Sequence, residues 1–310
     1  MSKFRFGTVA LIGRPNAGKS TLLNRILGQK IAITSNKPQT TRNRIVGIFT
    51  DKSMQAILVD TPGIHFAKSR INRSMVQVAK NAVEEVDALC LVVDAHRAKE
   101  RWPEDGVGVS PALEHMAAIV DEAEGKFVVI VLNKIDKLAK PDLLPLMQGL
   151  HERLPGTDII PVSALKGSGV DSLMKLWRTA LPEGPAMFPE DQIMDGSERF
   201  LVAELIREKI FRSTHQEVPY GTAVEIEQFT EEDREDGKPY VEIFARVLVE
   251  RKSQKGIIIG KRGAMLKSIG TAARKDIGAL LGARVRLHLH VSVAENWTDN
   301  ARMLHQFGIE

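Results

Sequence analysis

Apolar residues fall in short continuous runs over the first part of the chain, at 8–12, 45–50, 56–59, 88–93, 127–132 and 158–162. Continuous rather than alternating apolarity predicts strands covered on both faces, as in a parallel sheet. Between these runs, residues 20–27, 71–85, 111–124, 143–154 and 170–181 carry helical patterns. Strand and helix in alternation predict a doubly wound α/β domain over residues 1–181. Proline and glycine then gather in Leu181-Pro182-Glu183-Gly184-Pro185 and at Pro189, so residues 182–197 read as a linker. Beyond it the order changes to a helix (198–211), two strands (223–229 and 241–250) joined by an acidic turn-forming stretch, further helix, and a strand (283–293). Residues 198–310 are therefore expected to form a second, α+β domain with a short tail.

A length of 310 residues suits two domains, and 43% hydrophobic content is ample for two cores. The single cysteine, Cys90, excludes an intramolecular disulfide and lies in an apolar run, so it reads as a core thiol in a reducing compartment. No apolar run approaches the ~18 residues that would span a bilayer, and the N-terminus has no signal-peptide pattern. The net charge of +4 says little by itself, but it is unevenly placed. Residues 246–286 hold eleven basic side chains against Glu250 and Asp276, a surplus of nine that exceeds that of the whole chain.

Chemistry enters at the ends of the predicted strands. Gly13-Arg14-Pro15-Asn16-Ala17-Gly18-Lys19-Ser20 fits G-x-x-x-x-G-K-[ST], follows a strand and opens a helix through Thr21. Such a loop turns backbone N–H groups and a helix N-terminus toward phosphate oxygens. Lys19 would reach the β- and γ-phosphates, and the Ser20 hydroxyl would ligate Mg²⁺. Asp60-Thr61-Pro62-Gly63 follows the third strand: Asp60 can hold Mg²⁺ through water, and the Gly63 N–H can contact a γ-phosphate. Asn133-Lys134-Ile135-Asp136 ends the fifth strand. The Asp136 carboxylate can accept the paired N1–H and N2–H₂ donors that guanine has and adenine lacks, while Asn133 faces O6 and N7. Ser163-Ala164-Leu165 can add a backbone N–H to O6. Between the first two motifs lies the polar segment Ser35-Asn36-Lys37-Pro38-Gln39-Thr40-Thr41-Arg42, whose Thr41, in preference to Thr40, would complete a Mg²⁺ shell when a γ-phosphate is present.

In the second domain, Gly256-Ile257-Ile258-Ile259-Gly260-Lys261-Arg262-Gly263 carries G-x-x-G with two basic residues at its centre and helix on both sides. The glycines allow close approach to single-stranded sugar-phosphate, and Lys255, Lys261, Arg262 and Lys267 supply charge. The acidic stretch 231–236 reads as a solvated hairpin loop away from that face. His288 and His290 alternate on the last strand and make a poor metal site; Trp297 reads as a packing anchor.

The four ordered motifs of the first domain resemble the small GTPase family. Arg14-Pro15-Asn16, Pro38-Gln39-Thr40-Thr41-Arg42 and Asp60-Thr61-Pro62-Gly63 resemble more specifically the bacterial Era GTPases. The G-x-x-G loop and the order helix, strand, strand, helix, helix, strand resemble a type II KH domain, as at the Era C-terminus. The resemblance implies GTP and GDP as ligands with Mg²⁺, GTP hydrolysis, binding of the 3′ end of 16S rRNA, and a role in 30S subunit maturation. It also implies a cytoplasmic monomer with some association at the inner membrane surface. Relatives carrying the Asn16 asparagine place K⁺ beside the phosphates, which implies Asn16 as a K⁺ ligand. Ile64 departs from the glutamine that Ras-like proteins use to orient water, so slow intrinsic turnover is expected. Two other readings stand beside this one: a GTPase assisting tRNA modification, and a GTP-gated RNA-binding scaffold with negligible turnover.

Overall fold

The computed structural model describes residues 3–35, 37, 41–63, 81–100, 123, 125–233 and 239–309. The chain divides into two units, one comprising most of residues 1–195 and the other the remainder from Gly196.

The first unit is built on strands β1 (Arg5–Ile12), β2 (Ile45–Thr50), β3 (Met54–Asp60), β4 (Ala88–Asp94), β5 (Phe127–Asn133), β6 (Asp158–Val162) and β7 (Met194–Asp195), in the spatial order β6-β5-β4-β1-β3-β2-β7. The pairs from β6 through β3 are parallel. β2 runs antiparallel to β3, and β7 antiparallel to β2, so the sheet is mixed rather than wholly parallel as its apolar runs predict. Only three residues, 51–53, separate β2 from β3, and there the Asp51 carboxylate takes the N–H groups of Ser53 and Met54. A short turn of this kind joins antiparallel neighbours; a parallel neighbour needs a crossover.

Helices α1 (Lys19–Leu27), α2 (Ala95–Glu100), α3 (Lys140–Arg153) and α4 (Val170–Ala180) accompany the sheet. Pro141 in the first turn of α3 starts that helix earlier than its apolar spacing suggests, because proline is pre-set for an N-terminal turn. Alternate residues Ala10, Ile12, Leu89, Leu91, Ile130 and Leu132 of the central strands share one core with Leu150 and Leu154. On the expected helix 71–85 only residues 81–85 are described, of which 81–84 are helical; of the expected helix 111–124 only Ala123 is described. The stretch 182–195 lies along this unit. The buried Gln55 amide accepts the N–H groups of Met187 and Phe188 at 2.7 and 2.9 Å and donates to the Phe188 carbonyl. Cys90 is fully buried, and burial pushes its thiol well above the ordinary range.

The second unit stacks helices α5 (Glu198–Ser213), α6 (Lys252–Ile259) and α7 (Ala264–Leu281) with a three-stranded sheet of order β10-β9-β8. Its strands are β8 (Ala223–Asp233), β9 (Pro239–Val249) and β10 (Arg284–Val293), with β8–β9 antiparallel and β9–β10 parallel. β8 continues to Asp233 through residues that composition assigns to a turn. Thr230, Glu231 and Glu232 pair with Glu242, Val241 and Tyr240, since an edge strand tolerates a charged, solvent-facing row. The inward face holds Val241, Ile243, Ala245 and Val247 against Ile206, Ile210, Ile269 and Ile277. A last helix, α8 (Ala301–Gln306), follows. Ala32 to Ser35 and Lys37 also cluster with this unit. The Thr34 N–H reaches the buried Glu208 carboxylate at 3.3 Å, and the Lys37 ammonium takes the Phe211 and Thr214 carbonyls where α5 ends. Among the described residues no helix is long and apolar enough to cross a membrane.

Trp297 is the anchor its sequence context suggests. It is fully buried, donates its indole N–H to the Gly221 carbonyl at 2.9 Å and meets Phe307 edge-on. Trp297→Ala should cost about 3–5 kcal/mol of the stability of this unit. Trp297→Phe, which keeps a ring but orphans the carbonyl, should cost roughly 1–3 kcal/mol. Urea unfolding followed by circular dichroism checks both, and no loss of stability in Trp297→Phe would mean that the hydrogen bond contributes nothing.

Candidate nucleotide and RNA sites

The ends of β1, β3, β5 and β6 bring the first unit's motifs to one edge of its sheet. Gly18 caps α1 at φ +99°, a conformation L side chains rarely adopt, and a Cβ there would lie 2.2 Å from the Asn133 amide nitrogen. Asn16 also has positive φ. The loop Gly13 to Gly18 therefore curls over the start of α1. The Lys19 ammonium, buried, lies against the Gly13 and Arg14 carbonyls at 3.1 and 3.4 Å, inside the curl.

Ser20, Thr41 and Asp60 converge. Ser20 Oγ donates to Asp60 Oδ2 at 2.5 Å and lies 2.9 Å from Thr41 Oγ1, which is 3.5 Å from the same carboxylate oxygen. Asp60 Oδ1 is buried without a hydrogen-bond partner among the described residues. Two hydroxyls and an orphaned carboxylate oxygen form a hard oxygen donor set, which fits Mg²⁺ bound mainly through water and phosphate. Burial raises the Asp60 carboxyl to about 6, opposed by the Lys19 charge and the Ser20 and Thr41 hydroxyls. Burial likewise lowers Lys19, opposed by Asp60. Gly63 packs on Pro15, where a Cβ would meet its backbone at 2.7 Å. Thr61 hydrogen-bonds the Leu11 carbonyl at 2.9 Å. Thr40 and Ile64 lie outside the described residues, while Thr21 stands in the first turn of α1 and Pro62 is buried just after β3.

Asn133 is tied to the loops around it. Its Nδ2 donates to the Ala17 carbonyl at 2.8 Å, and its Oδ1 accepts the N–H groups of Lys134 (2.8 Å) and Ala164 (3.0 Å). An amide has two donor hydrogens and two acceptor lone pairs, so both acceptor sites are used and one N–H remains. That single N–H can serve guanine N7 or O6, both of which are acceptors, but not the two together. Asp136 accepts the Ser163 hydroxyl at 2.6 Å and keeps its other oxygen for a base. Lys134, at φ +68°, spans the Asn16 carbonyl and the Asp94 carboxylate, at 2.5 and 2.6 Å. Asp94 is a positioning residue that sequence reasoning missed. Its signal was available: like Asp60 and Asn133, it is a polar residue at the C-terminal end of a buried strand.

In the second unit, α6 and α7 flank the loop Gly260 to Gly263. Gly260 has φ +71°, and a Cβ there would lie 2.6 Å from that of Met265. Arg262 holds φ +54° without being glycine, a strained conformation at the loop's exposed tip. Lys261, Arg262 and Lys267 are exposed, Lys255 is half-buried, and Gly256 and Gly263 leave open space around them. Ile257, read above as part of the run into the loop, is 48% exposed and offers an apolar surface beside the charges. An open groove of about 1000 Å³ continues between α7 and the start of β10, lined by Lys267, Thr271, Arg274, Lys275 and Arg284. His288 stacks on Phe244 and lies 3.0 Å from Glu242; no group of three metal-ligating side chains occurs among the described residues.

Residues 8–134 match the family model described as a 50S ribosome-binding GTPase, and residues 217–298 match that of a KH domain. The GTPase Era of Geobacter sp. strain M21 is 52% identical over 308 residues, covering 99% of each chain. That of Geobacter metallireducens is 50% identical over 307 residues, 98% of each. Two solved structures align over 99% of both chains with TM-score 0.89 and 38% identity: an Aquifex aeolicus Era variant bound to GDP·AlF4⁻, and an Era in complex with MgGDPNP and nucleotides 1506–1542 of 16S ribosomal RNA.

Because metal and proton compete for the Asp60 carboxylate, Mg²⁺-dependent nucleotide affinity should depend on pH. The folded, ligand-free pKa lies above the ordinary 3.8, so the protonated form is favoured below about 6 and the metal must displace that proton. Affinity for a fluorescent GTP analogue in Mg²⁺ should be level above pH 7 and fall about tenfold per pH unit below 6. With EDTA, or in Asp60→Asn, the slope should vanish. A slope that survives in Asp60→Asn would assign the titration elsewhere.

Proposed function

We propose, from the premise that this chain belongs to the GTPase Era family, that it binds the 3′ end of 16S rRNA through its KH unit and assists maturation of the 30S subunit. The first unit is a P-loop GTPase domain, and GTP binding and hydrolysis are its activity. The loop Gly13–Gly18 and Lys19 hold the phosphates. Asp136, with the free N–H of Asn133, reads guanine. Mg²⁺, held by Ser20, Thr41 and Asp60, supplies positive charge to the β- and γ-phosphates. Lys19, Thr41 and Gly63 orient the terminal phosphate. K⁺ at Asn16 supplies a further charge that Ile64 cannot replace. The family also points to a cytoplasmic monomer with peripheral contact at the inner membrane surface.

The observation that carries the RNA assignment is the strained, exposed G-x-x-G tip, with Lys261 and Arg262 at its centre and a basic groove continuing from it. Lys255, Gly256, Gly260, Gly263 and Lys267 complete the surface. Its expected ligand is the RNA end named for the similar Era complex. Coupling to nucleotide is supported by Ala32 to Ser35 and Lys37. They precede Thr41, which meets Ser20 and Asp60, yet they cluster with the unit that carries the G-x-x-G loop.

Fluorescence anisotropy of a labelled oligonucleotide matching the 16S 3′ end should show tight binding to protein loaded with a non-hydrolysable GTP analogue. Binding should be at least tenfold weaker with GDP, and lost in Lys261→Asp/Arg262→Asp. Binding no better than to a scrambled RNA would overturn the assignment. For the metal, phosphate release should be several-fold faster in K⁺ than in Na⁺, and the difference should disappear in Asn16→Ala. Equal turnover in both salts would remove K⁺ from the mechanism.

A further inference from the structure

Arg25 takes no part in the motifs above, and nothing in its sequence context marks it. It stands in the last turn of α1, and its guanidinium crosses to the loop after β6. Nε donates to the Ala164 carbonyl at 3.0 Å, and Nη2 donates to the Leu165 carbonyl. A charged fork on two successive carbonyls is directional in a way that an ammonium is not.

The consequence follows from the planar trans peptide, in which C=O and the next N–H point opposite ways. Fixing the Ala164 and Leu165 carbonyls toward Arg25 turns the Leu165 and Lys166 N–H groups away from it. The Lys166 N–H meets the Ser163 hydroxyl at 3.1 Å, and that hydroxyl in turn meets Asp136. The N–H row of the loop therefore faces the side of the Asp136 carboxylate. The Ala164 N–H is held by Asn133 Oδ1, and the Leu165 N–H has no partner among the described residues. Since Asn133 has no means of serving both N7 and O6, a second donor is needed for O6.

We infer that Arg25 is a positioning residue for guanine recognition: by holding the Ala164 and Leu165 carbonyls it aims the Leu165 N–H at guanine O6. This rests on the reading of the first unit as a guanine-nucleotide site. Base analogues separate the contacts. Inosine 5′-diphosphate keeps O6 and loses the 2-amino group read by Asp136. 2-Aminopurine riboside 5′-diphosphate keeps the 2-amino group but loses O6 and, with it, the N1–H, so it binds more weakly overall yet cannot report on an O6 contact.

The test is calorimetric or fluorescence-displacement affinity for GDP and both analogues in wild type, Arg25→Met and Arg25→Lys, with thermal melts of each ligand-free protein. Arg25→Met should weaken GDP and inosine diphosphate about tenfold, the worth of one hydrogen bond to the base, and leave the 2-aminopurine nucleotide within twofold. Arg25→Lys, which keeps the charge near the end of α1 but loses the fork, should fall between. Unchanged GDP affinity in Arg25→Met, or equal losses for all three nucleotides, would overturn the inference, the second outcome assigning Arg25 to general stability. A wild type that does not prefer GDP to the 2-aminopurine nucleotide would instead count against the guanine site itself.

Discussion

The first unit depends on one side-chain amide. Asn133 ends β5, and its three hydrogen bonds join the phosphate loop, its own loop and the loop after β6. These three segments are far apart in sequence, and none is regular enough to hold its own shape. A buried amide with three of its four hydrogen-bonding positions filled is costly to displace, since each orphaned group would carry a desolvation penalty. Gly18 is the counterpart of this arrangement, because any side chain there would occupy the space the amide nitrogen needs. Lys134 adds a second tie between the same loops through Asn16 and Asp94. The nucleotide cradle is thus rigid on its base and phosphate sides.

Its metal side is different in kind. Asp60 is a buried carboxylate, one of whose oxygens has no hydrogen-bond partner among the described residues, adjacent to a buried ammonium. Without a cation and phosphates this cluster is electrostatically unfinished, and its unfavourable burial is offset by whatever completes it. The second unit shows the same division between firm support and strained working surface. Isoleucines and valines from α5, α7 and β9 make a continuous core, while the loop that faces the ligand holds Arg262 in a left-handed conformation.

Much of this was legible in the sequence because the informative signals were local. The strands β2 and β6 have the bounds that their apolar runs suggest, and the phosphate loop, Asp60 and Asn133 all stand where strand ends place them. What escaped was set by pairing. β2 has the same apolar character as its parallel neighbours, and only the short turn at 51–53 reverses it. Residues 231–233 are acidic, yet the β9 ladder extends through them. Arg25 is an ordinary basic residue on an amphipathic helix, and its meaning comes from a loop 139 residues away. Asn133 was found by motif, but its ties to the Ala17 carbonyl and the Lys134 and Ala164 N–H groups come only from the assembled site.

The buried thiol has a practical consequence. Cys90 is the chain's only cysteine, fully enclosed in the central strand β4, and the surrounding apolar side chains keep it from forming a reactive thiolate. A cysteine introduced anywhere on the surface would be the sole nucleophile available to a maleimide. Dyes, spin labels or crosslinkers could therefore be attached at one chosen point on either unit of the otherwise natural protein, without first removing a native residue.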